Sequence, residues 1–305
     1  MDTIIQILAR ELGRSEAHVE NVVRLIDEGN TIPFIARYRK ELHGAMDDTA
    51  LRTLADRLQY LRNLDKRREE VKSAIEGQGK LTEELSAAID AAATLAEVED
   101  LYRPYKQKRR TRATVAREKG LEPLAELLFA QAADGPAPEE AAGAFIDPEK
   151  GVETAEDALQ GASDIIAERI SDDADIRKRL RELVWKKGYL VSAAAAKEPE
   201  DTVYRLYYAF RSPLNRVQGH QVLAVNRGER EGVLKVSVEM EREAALIPVR
   251  RAVLNPGAPA MAFVRAAAED AYDRLIFPSV EREMRSLLTE QADEGAIKMF
   301  GRSEE

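Results

Sequence analysis

The sequence predicts a mainly α-helical protein with one small β element. Apolar residues make up 44% of the 305 positions and aromatic residues only 6%, while Ala, Leu, Glu and Arg, which favour helices, are abundant. Apolar side chains recur at helical spacing from Ile4 to Ile170 and again from Val203. The alternation typical of a half-buried strand is convincing only at 232–238.

Residues 1–46 predict a helix-turn-helix-like unit. A first helix ends near Gly13, and Ser15 caps a second helix that stops at Gly29. Thr31 caps a third helix, so that two helices flank a short glycine-containing turn. This arrangement is the outline of a DNA-binding helix-turn-helix.

Apolar and basic side chains separate on the predicted third helix. Phe34, Ile35 and Tyr38 are expected to cluster on one side of it. Arg37 and Lys40 are expected on the opposite side, about 60° apart at 100° per residue. These two cations are candidate nucleic-acid contacts, but a small three-helix core with a solvated polar face would show the same pattern.

Residues 47–102 predict a long antiparallel helical arm. Asp47 and Asp48 open a helix of about 30 residues, and therefore of roughly 45 Å. Gly77 ends it, and Thr82 caps a returning helix. The apolar stripe of the long helix includes Leu51, Leu54, Leu58 and Leu61.

Two further regions are predicted after the arm. Residues 103–192 are expected to form a basic loop and a helical region. The segment 192–201, with small residues followed by proline and acids, predicts a boundary, so that 193–305 form a further helical region with the small β element. Whether 221–225 is helical or pairs with the strand stays open. Helical spacing after the boundary is carried by Val203, Leu206, Tyr207 and Phe210.

The most concentrated charge in the chain lies at 101–119, which holds eight Lys and Arg and only one acid, Glu118. The whole chain has a net charge of -9, and like charges gathered on an acidic protein are tolerated mainly in solvent or beside a polyanion. Alternatively, these cations pair with acids of 121–305. The predicted polyanion contacts are Lys106, Lys108, Arg109, Arg110 and Arg112.

No catalytic, metal or cofactor site is predicted. The chain has no cysteine and only three histidines, which excludes thiol chemistry and makes a zinc site hard to assemble. No nucleophile, metalloprotease or phosphate-loop motif is present. No apolar run approaches the ~20 residues of a membrane helix, and the N-terminus lacks the features of a signal peptide. A cytoplasmic, non-enzymatic protein is expected.

Two long motifs carry a family resemblance. GNTIPFIARYRKE (29–41) and LYRPYKQKRRTRATVAREKGLEPLA (101–125) closely resemble the N-terminal region of the Tex family of bacterial transcription accessory proteins. RGEREGVLKV (227–236) is similar to the central region of that family. The resemblance implies a helix-turn-helix-like unit, a helical arm and a role in transcription with nucleic-acid binding.

The resemblance also implies more chain than these residues. Family members continue into a ribonuclease-H-like fold, a helix-hairpin-helix unit and an OB-type RNA-binding domain, none of which is expected here. The favoured function is a nucleic-acid-binding transcription accessory factor that contacts the phosphate backbone of RNA or DNA without strong sequence specificity. The alternative is a protein-interaction scaffold that docks on RNA polymerase or other transcription proteins.

Overall fold

The computed structural model describes residues 3–303, and the side chains of residues 3–293. The chain is mainly α-helical, as predicted. It divides between Tyr105 and Lys106 into two compact units, each with a hydrophobic core of its own.

The first unit is entirely helical in its described part. Its elements are α1 (Ile4–Leu12), α2 (Glu16–Asp27), α3 (Ile32–Tyr38), α4 (Lys40–His43), α5 (Asp48–Glu76), α6 (Glu83–Ala91) and α7 (Leu95–Tyr102), followed by a 3-10 turn at Arg103–Tyr105. The caps predicted at Ser15 and Thr82 are confirmed, because each side chain accepts a hydrogen bond from a backbone N–H in the first helical turn. Asp47, which precedes α5, accepts a hydrogen bond in the same way. Such caps satisfy donors that have no partner inside the helix.

The long helix α5 is the spine of this unit. Its predicted leucine stripe is confirmed, with Leu51, Leu54, Leu58 and Leu61 at most 4% exposed. The chain returns antiparallel along it, since Tyr60 Oη accepts from the backbone N–H of Leu95 and Lys72 Nζ lies 2.8 Å from Asp90. Helices α1, α2 and α3 pack on α5 as well, so its stripe joins all these helices in one core.

The second unit combines helices with a small sheet. Its elements are α8 (Arg112–Glu118), α9 (Glu122–Ala130), α10 (Pro138–Ala142), α11 (Ala155–Ser171), α12 (Ala174–Lys187), β1 (Tyr189–Ala194), β2 (Ala209–Pro213), α13 (Gly219–Arg230), β3 (Leu234–Glu239), α14 (Arg242–Val253), α15 (Met261–Asp270) and α16 (Phe277–Ser303). Helix α11 is central, because α8, α9, α10 and α15 all pack against it. A capping box between Thr154 and Asp157 begins this helix.

The predicted β element is a three-stranded antiparallel sheet in the order β2-β1-β3. Ser192 lies opposite Phe210 on β2 and Val236 on β3. The boundary segment predicted at 192–201 therefore begins inside β1. The strand was not predicted because its buried positions are Leu190 and Ser192, and a serine does not contribute to an apolar alternation in the sequence.

Two further expectations around the sheet are settled. The helix expected from Val203 to Phe210 is wrong, because the segment holds a 3-10 turn followed by β2. Val203 and Leu206 are 86% and 85% exposed, so they form no buried apolar stripe. The open question at 221–225 is answered by α13, which contains these residues.

We expect Leu58→Ala to lower the free energy of unfolding by about 2–5 kcal/mol, because Leu58 is 3% exposed and its loss leaves a cavity. Urea-induced unfolding of the whole chain, followed by circular dichroism, measures this. Lys66→Ala on the same helix, with 78% of its side chain exposed, is the control and should stay within about 0.5 kcal/mol of the parent. A loss well under 1 kcal/mol for Leu58→Ala would mean that the stripe is not the core of this unit.

Candidate nucleic-acid interface

The basic segment, defined here as residues 106–119, is held against the core of the second unit by α8. Thr111 caps α8 by accepting a hydrogen bond from the backbone N–H of Thr114, at 3.1 Å. Ala116 on α8 is buried. Opposite it lies Gly161 of α11, where a Cβ would stand 2.3 Å from Leu121 Cδ1 and 3.3 Å from Ala116 Cβ. Small residues thus allow the two helices to approach closely.

One carboxylate on α11 binds three groups of the basic segment. Glu168 accepts a hydrogen bond from the Thr111 hydroxyl at 2.9 Å and from Arg117 Nη1 at 2.9 Å. Lys108 Nζ lies 3.7 Å from the same carboxylate and also pairs with Asp172. Only 12% of the Glu168 side chain is exposed, so these contacts are shielded from solvent.

The ionisation of Glu168 reflects these contacts. Burial alone would raise the pKa of this carboxyl group, because a charged form is poorly solvated in the protein interior. The Arg117 guanidinium, the Lys108 ammonium and the Thr111 hydroxyl outweigh burial and hold the pKa of Glu168 below its ordinary value of 4.5. Glu168 is therefore a charged anchor at neutral pH.

Of the other cations of the basic segment, Lys119 donates to the backbone carbonyl of Gly151 at 3.0 Å, and the remaining four are exposed. Arg110 pairs with Glu118 at 2.9 Å, but both side chains are more than half exposed, and such surface pairs contribute little. Lys106, Arg109 and Arg112 are exposed. Neither Arg109 nor Arg112 forms an ion pair with any carboxylate among the described side chains.

The predicted polyanion contacts thus fall into two groups. Lys108 is directed towards α11, as the alternative interpretation of the basic stretch required. The other four predicted residues of the segment are exposed. The sequence alone could not distinguish Lys108 from the other four cations. The acids that bind Lys108 follow it by about 60 positions, in α11 and directly after it.

A second basic surface lies in the first unit, and it corrects the predicted third helix. Lys40 is not on α3, since that helix ends at Tyr38 and Lys40 begins α4. Phe34 and Tyr38 do not share a buried face with Ile35: they are 38% and 57% exposed, whereas Ile35 is 0% exposed. We call the exposed set the aromatic–basic surface; it consists of Phe34, Arg37, Tyr38, Arg39 and Lys40.

The rings and cations of the aromatic–basic surface lie close together. The ring centroids of Phe34 and Tyr38 are 5.1 Å apart, with an angle of 44° between the ring planes. The Arg37 guanidinium lies 6.0 Å from the Tyr38 centroid, and that of Arg39 lies 5.9 Å from the Phe34 centroid. The spacing i, i+3, i+4 of Phe34, Arg37 and Tyr38 places all three on one helical face, and this was the signal in the sequence that could have revealed them.

Buried contacts fix this surface to the body of the first unit. Ile35 points into the core towards α5. Asn21 on α2 donates from Nδ2 to the carbonyl of Leu42 at 3.1 Å, which holds α4. The buried ring of His43 accepts the backbone N–H of Met46 at Nδ1, at 2.9 Å. The exposed aromatic rings are therefore carried on a supported backbone.

This arrangement has the kinds of group that a single-stranded polyanion would contact. Exposed aromatic rings offer faces on which bases stack, and adjacent cations neutralise phosphates. The basic segment of the second unit offers cations without aromatic rings, which suits backbone contacts alone. Within residues 3–293 there is no cluster of three or more potential metal-binding side chains. None of the helices described between residues 3 and 303 has the length and apolar character of a membrane-spanning segment.

Two family models match most of the chain. Residues 2–76 match the model described as the Tex-like protein N-terminal domain. Residues 134–300 match the model described as Tex central region-like. The first match contains the aromatic–basic surface.

Several curated proteins are similar over nearly the whole chain. The uncharacterized protein YdcI of Bacillus subtilis is 46% identical over 97% of this chain and 41% of its own length. The transcriptional accessory protein Tex of Neisseria gonorrhoeae is 38% identical over 98% of this chain and 40% of its own length. The human S1 RNA-binding domain-containing protein 1 is 31% identical over 98% of this chain and 31% of its own length. The chain thus spans less than half of each of these relatives.

We expect Glu168→Gln to lower the free energy of unfolding at pH 7 by about 1.5–3 kcal/mol, because it removes charge-assisted hydrogen bonds. The pKa of Glu168 is lower in the folded chain than its ordinary value of 4.5. Its stabilisation is therefore present above that pH and is lost as the pH falls through the lowered pKa. Urea unfolding at several pH values should show that the difference in the free energy of unfolding between parent and variant becomes smaller at acidic pH.

Glu126→Gln is the matched control for this prediction, because Glu126 is exposed on neighbouring α9 and has no ion pair among the described side chains. It should unfold like the parent at every pH. A Glu168→Gln variant that does the same would show that the carboxylate does not anchor the basic segment.

Proposed function

Because this chain belongs to the Tex family, we propose that it is the part of a cytoplasmic transcription accessory factor that binds single-stranded nucleic acid without strong sequence specificity. The observation that carries the proposal is the exposed pair of Phe34 and Tyr38 with cations on either side. Two large aromatic side chains gain nothing from exposure to water. A ligand with flat apolar faces and negative charge would cover both features at once.

In this proposal the aromatic–basic surface supplies stacking and charge. Bases of any sequence stack on the rings of Phe34 and Tyr38, which explains a lack of strong specificity. Arg37, Arg39 and Lys40 contact the neighbouring phosphates. Because phosphate contacts carry no base information, they fix position along the strand and not sequence.

The basic segment has a secondary role in the same proposal. Arg109, Arg110 and Arg112, together with Lys106, contact phosphates of RNA or DNA in the second unit. Lys108 instead positions the segment, because its ammonium pairs with Asp172 and Glu168. The site acts by binding alone, and we propose no catalytic step for it.

The names of two relatives support this reading. One is called a transcriptional accessory protein, and the other is named for an S1 RNA-binding domain. Both are more than twice as long as this chain. Autonomous binding by these 305 residues is therefore what an experiment must establish.

A second candidate function is docking on RNA polymerase or another transcription protein. It is favoured by the internal pairing of Lys108, Arg110 and Arg117, which leaves fewer cations for a polyanion. The two functions differ in salt dependence. For binding to a single strand, the logarithm of the affinity falls with the logarithm of the salt concentration, with a slope of about -0.7 per neutralised phosphate.

We expect Tyr38→Ala to weaken binding of a labelled oligo-uridine by ~1–3 kcal/mol, the usual contribution of one stacked base. Tyr38→Phe keeps the ring and should bind like the parent. Arg37→Ala should instead make the plot of log affinity against log salt concentration less steep, by the amount expected for one lost phosphate contact. Fluorescence anisotropy across a salt series measures all three variants. If Tyr38→Ala and Arg37→Ala both bind like the parent, the aromatic–basic surface is not the interface and the docking function is preferred.

Within the basic segment, Lys108→Ala and Arg109→Ala should behave in opposite ways. Lys108→Ala should lower stability with little effect on affinity, because Lys108 pairs with partly buried carboxylates. Arg109→Ala should leave the free energy of unfolding within about 0.5 kcal/mol and lower affinity for the oligonucleotide. The same anisotropy and urea assays measure both. If Lys108→Ala instead lowers affinity without lowering stability, Lys108 belongs to the interface.

A further inference from the structure

A groove of 460 Å³ lies between α12 and α14 of the second unit. The two helices pack through buried residues, including Leu180 and Val184 on α12 and Leu246 and Val249 on α14. The groove follows the outer edge of this contact. It has no part in the nucleic-acid binding proposed above.

Each helix contributes one regular stripe to the groove. The stripe of α12 is formed by Arg179, Glu182, Leu183, Lys186 and Lys187. The stripe of α14 is formed by Ala244, Ile247, Pro248 and Arg251. Both follow the spacing i, i+3, i+4, i+7, so that each stripe occupies one helical face. The two stripes together line the groove.

The charge of the groove is strongly positive. Four of its lining residues are cations and only Glu182 is an acid. Among the described side chains, none of the four cations has an ion-pair partner. Their neighbours differ: Arg181 pairs with Glu283 at 2.9 Å, and Arg250 pairs with Glu269 at 2.6 Å. On a chain of net charge -9, unpaired cations are thus collected on the groove side of both helices.

The floor of the groove is aliphatic. Ile247 is 47% exposed, and Leu183, Ala244 and Pro248 are half-buried beside it. A phosphate backbone has no apolar groups to cover these side chains, and the lining contains no aromatic ring on which a base could stack. The floor therefore favours a peptide over a nucleic acid.

We propose that this groove binds an acidic amphipathic helix of a partner protein. Apolar side chains of that helix, spaced i, i+3, i+4 and i+7, lie on Ile247 and Leu183, as in other complexes of a helix in a groove. Its carboxylates face Arg179, Lys186, Lys187 and Arg251. Charge complementarity sets the orientation and the rate of association, while the aliphatic floor supplies the contact area.

The test uses a labelled peptide of Glu, Leu and Ala, about 18 residues long, or five helical turns, with its leucines in one stripe. We expect it to bind the whole chain, and a scrambled peptide of the same composition to bind about tenfold more weakly. Reversing the charges of Lys186, Lys187 and Arg251 to Glu should weaken binding at least about tenfold. Ile247→Ser should weaken it about fivefold.

The control variant reverses three exposed cations of the same unit that lie outside the groove, Lys197, Arg205 and Lys235. It changes the net charge equally and should bind the peptide like the parent. Circular dichroism checks that every variant is folded. Because the chain has no cysteine, Ile247→Cys also gives a single attachment point for a photo-crosslinker, which should capture the striped peptide and not the scrambled one.

Several results would overturn the proposal. The striped peptide could fail to bind, or bind no better than the scrambled one. The control variant could lose as much affinity as the groove variant, or Ile247→Ser could have no effect; either would reduce the interaction to general charge attraction. If an oligo-uridine binds and only the groove reversal abolishes that binding, the groove is a nucleic-acid site.

Discussion

The partly buried carboxylate of Glu168 is the interaction that fixes the basic segment to the core of the second unit. A carboxylate that is 12% exposed stays charged only if positive groups compensate for its lost solvation. Lys108, Thr111 and Arg117 provide this compensation. Their contacts bring the start and end of the basic segment onto α11, the helix around which the rest of that core packs. Part of the most basic stretch of the chain therefore serves the fold.

Three groups of exposed cations lie in different settings, and each setting favours a different ligand. In the first unit they lie beside the rings of Phe34 and Tyr38, which suits bases and phosphates together. The basic segment contains no aromatic residue beside its cations, which suits contacts with phosphates alone. Between α12 and α14 the cations flank an aliphatic floor, which suits an acidic peptide. The neighbours of a cation, more than its charge, distinguish these surfaces.

Local patterns in the sequence predicted several local features correctly. The α5 stripe and the caps at Ser15 and Thr82 depend only on residues within a few positions. The sheet was largely missed because β1 pairs with strands on both sides through backbone hydrogen bonds, to which its alanines give no hint. The ion-pair partners of Lys108 could not be predicted either, because they are distant from it in sequence. At α3 the error was one of facing: Phe34 and Tyr38 were grouped with Ile35, but they are exposed while Ile35 is buried, and Arg37, expected on the opposite side, shares their face.

The central claim is that nucleic acid lies on the aromatic–basic surface of the first unit. The most direct test is ultraviolet crosslinking of an oligonucleotide containing 5-iodouridine to the whole chain, with mass spectrometry to locate the crosslinked residues. Because this reaction favours aromatic side chains in contact with the base, the account predicts crosslinks at Phe34 and Tyr38. Crosslinks confined to the region of Lys108, or to the groove between α12 and α14, would contradict it.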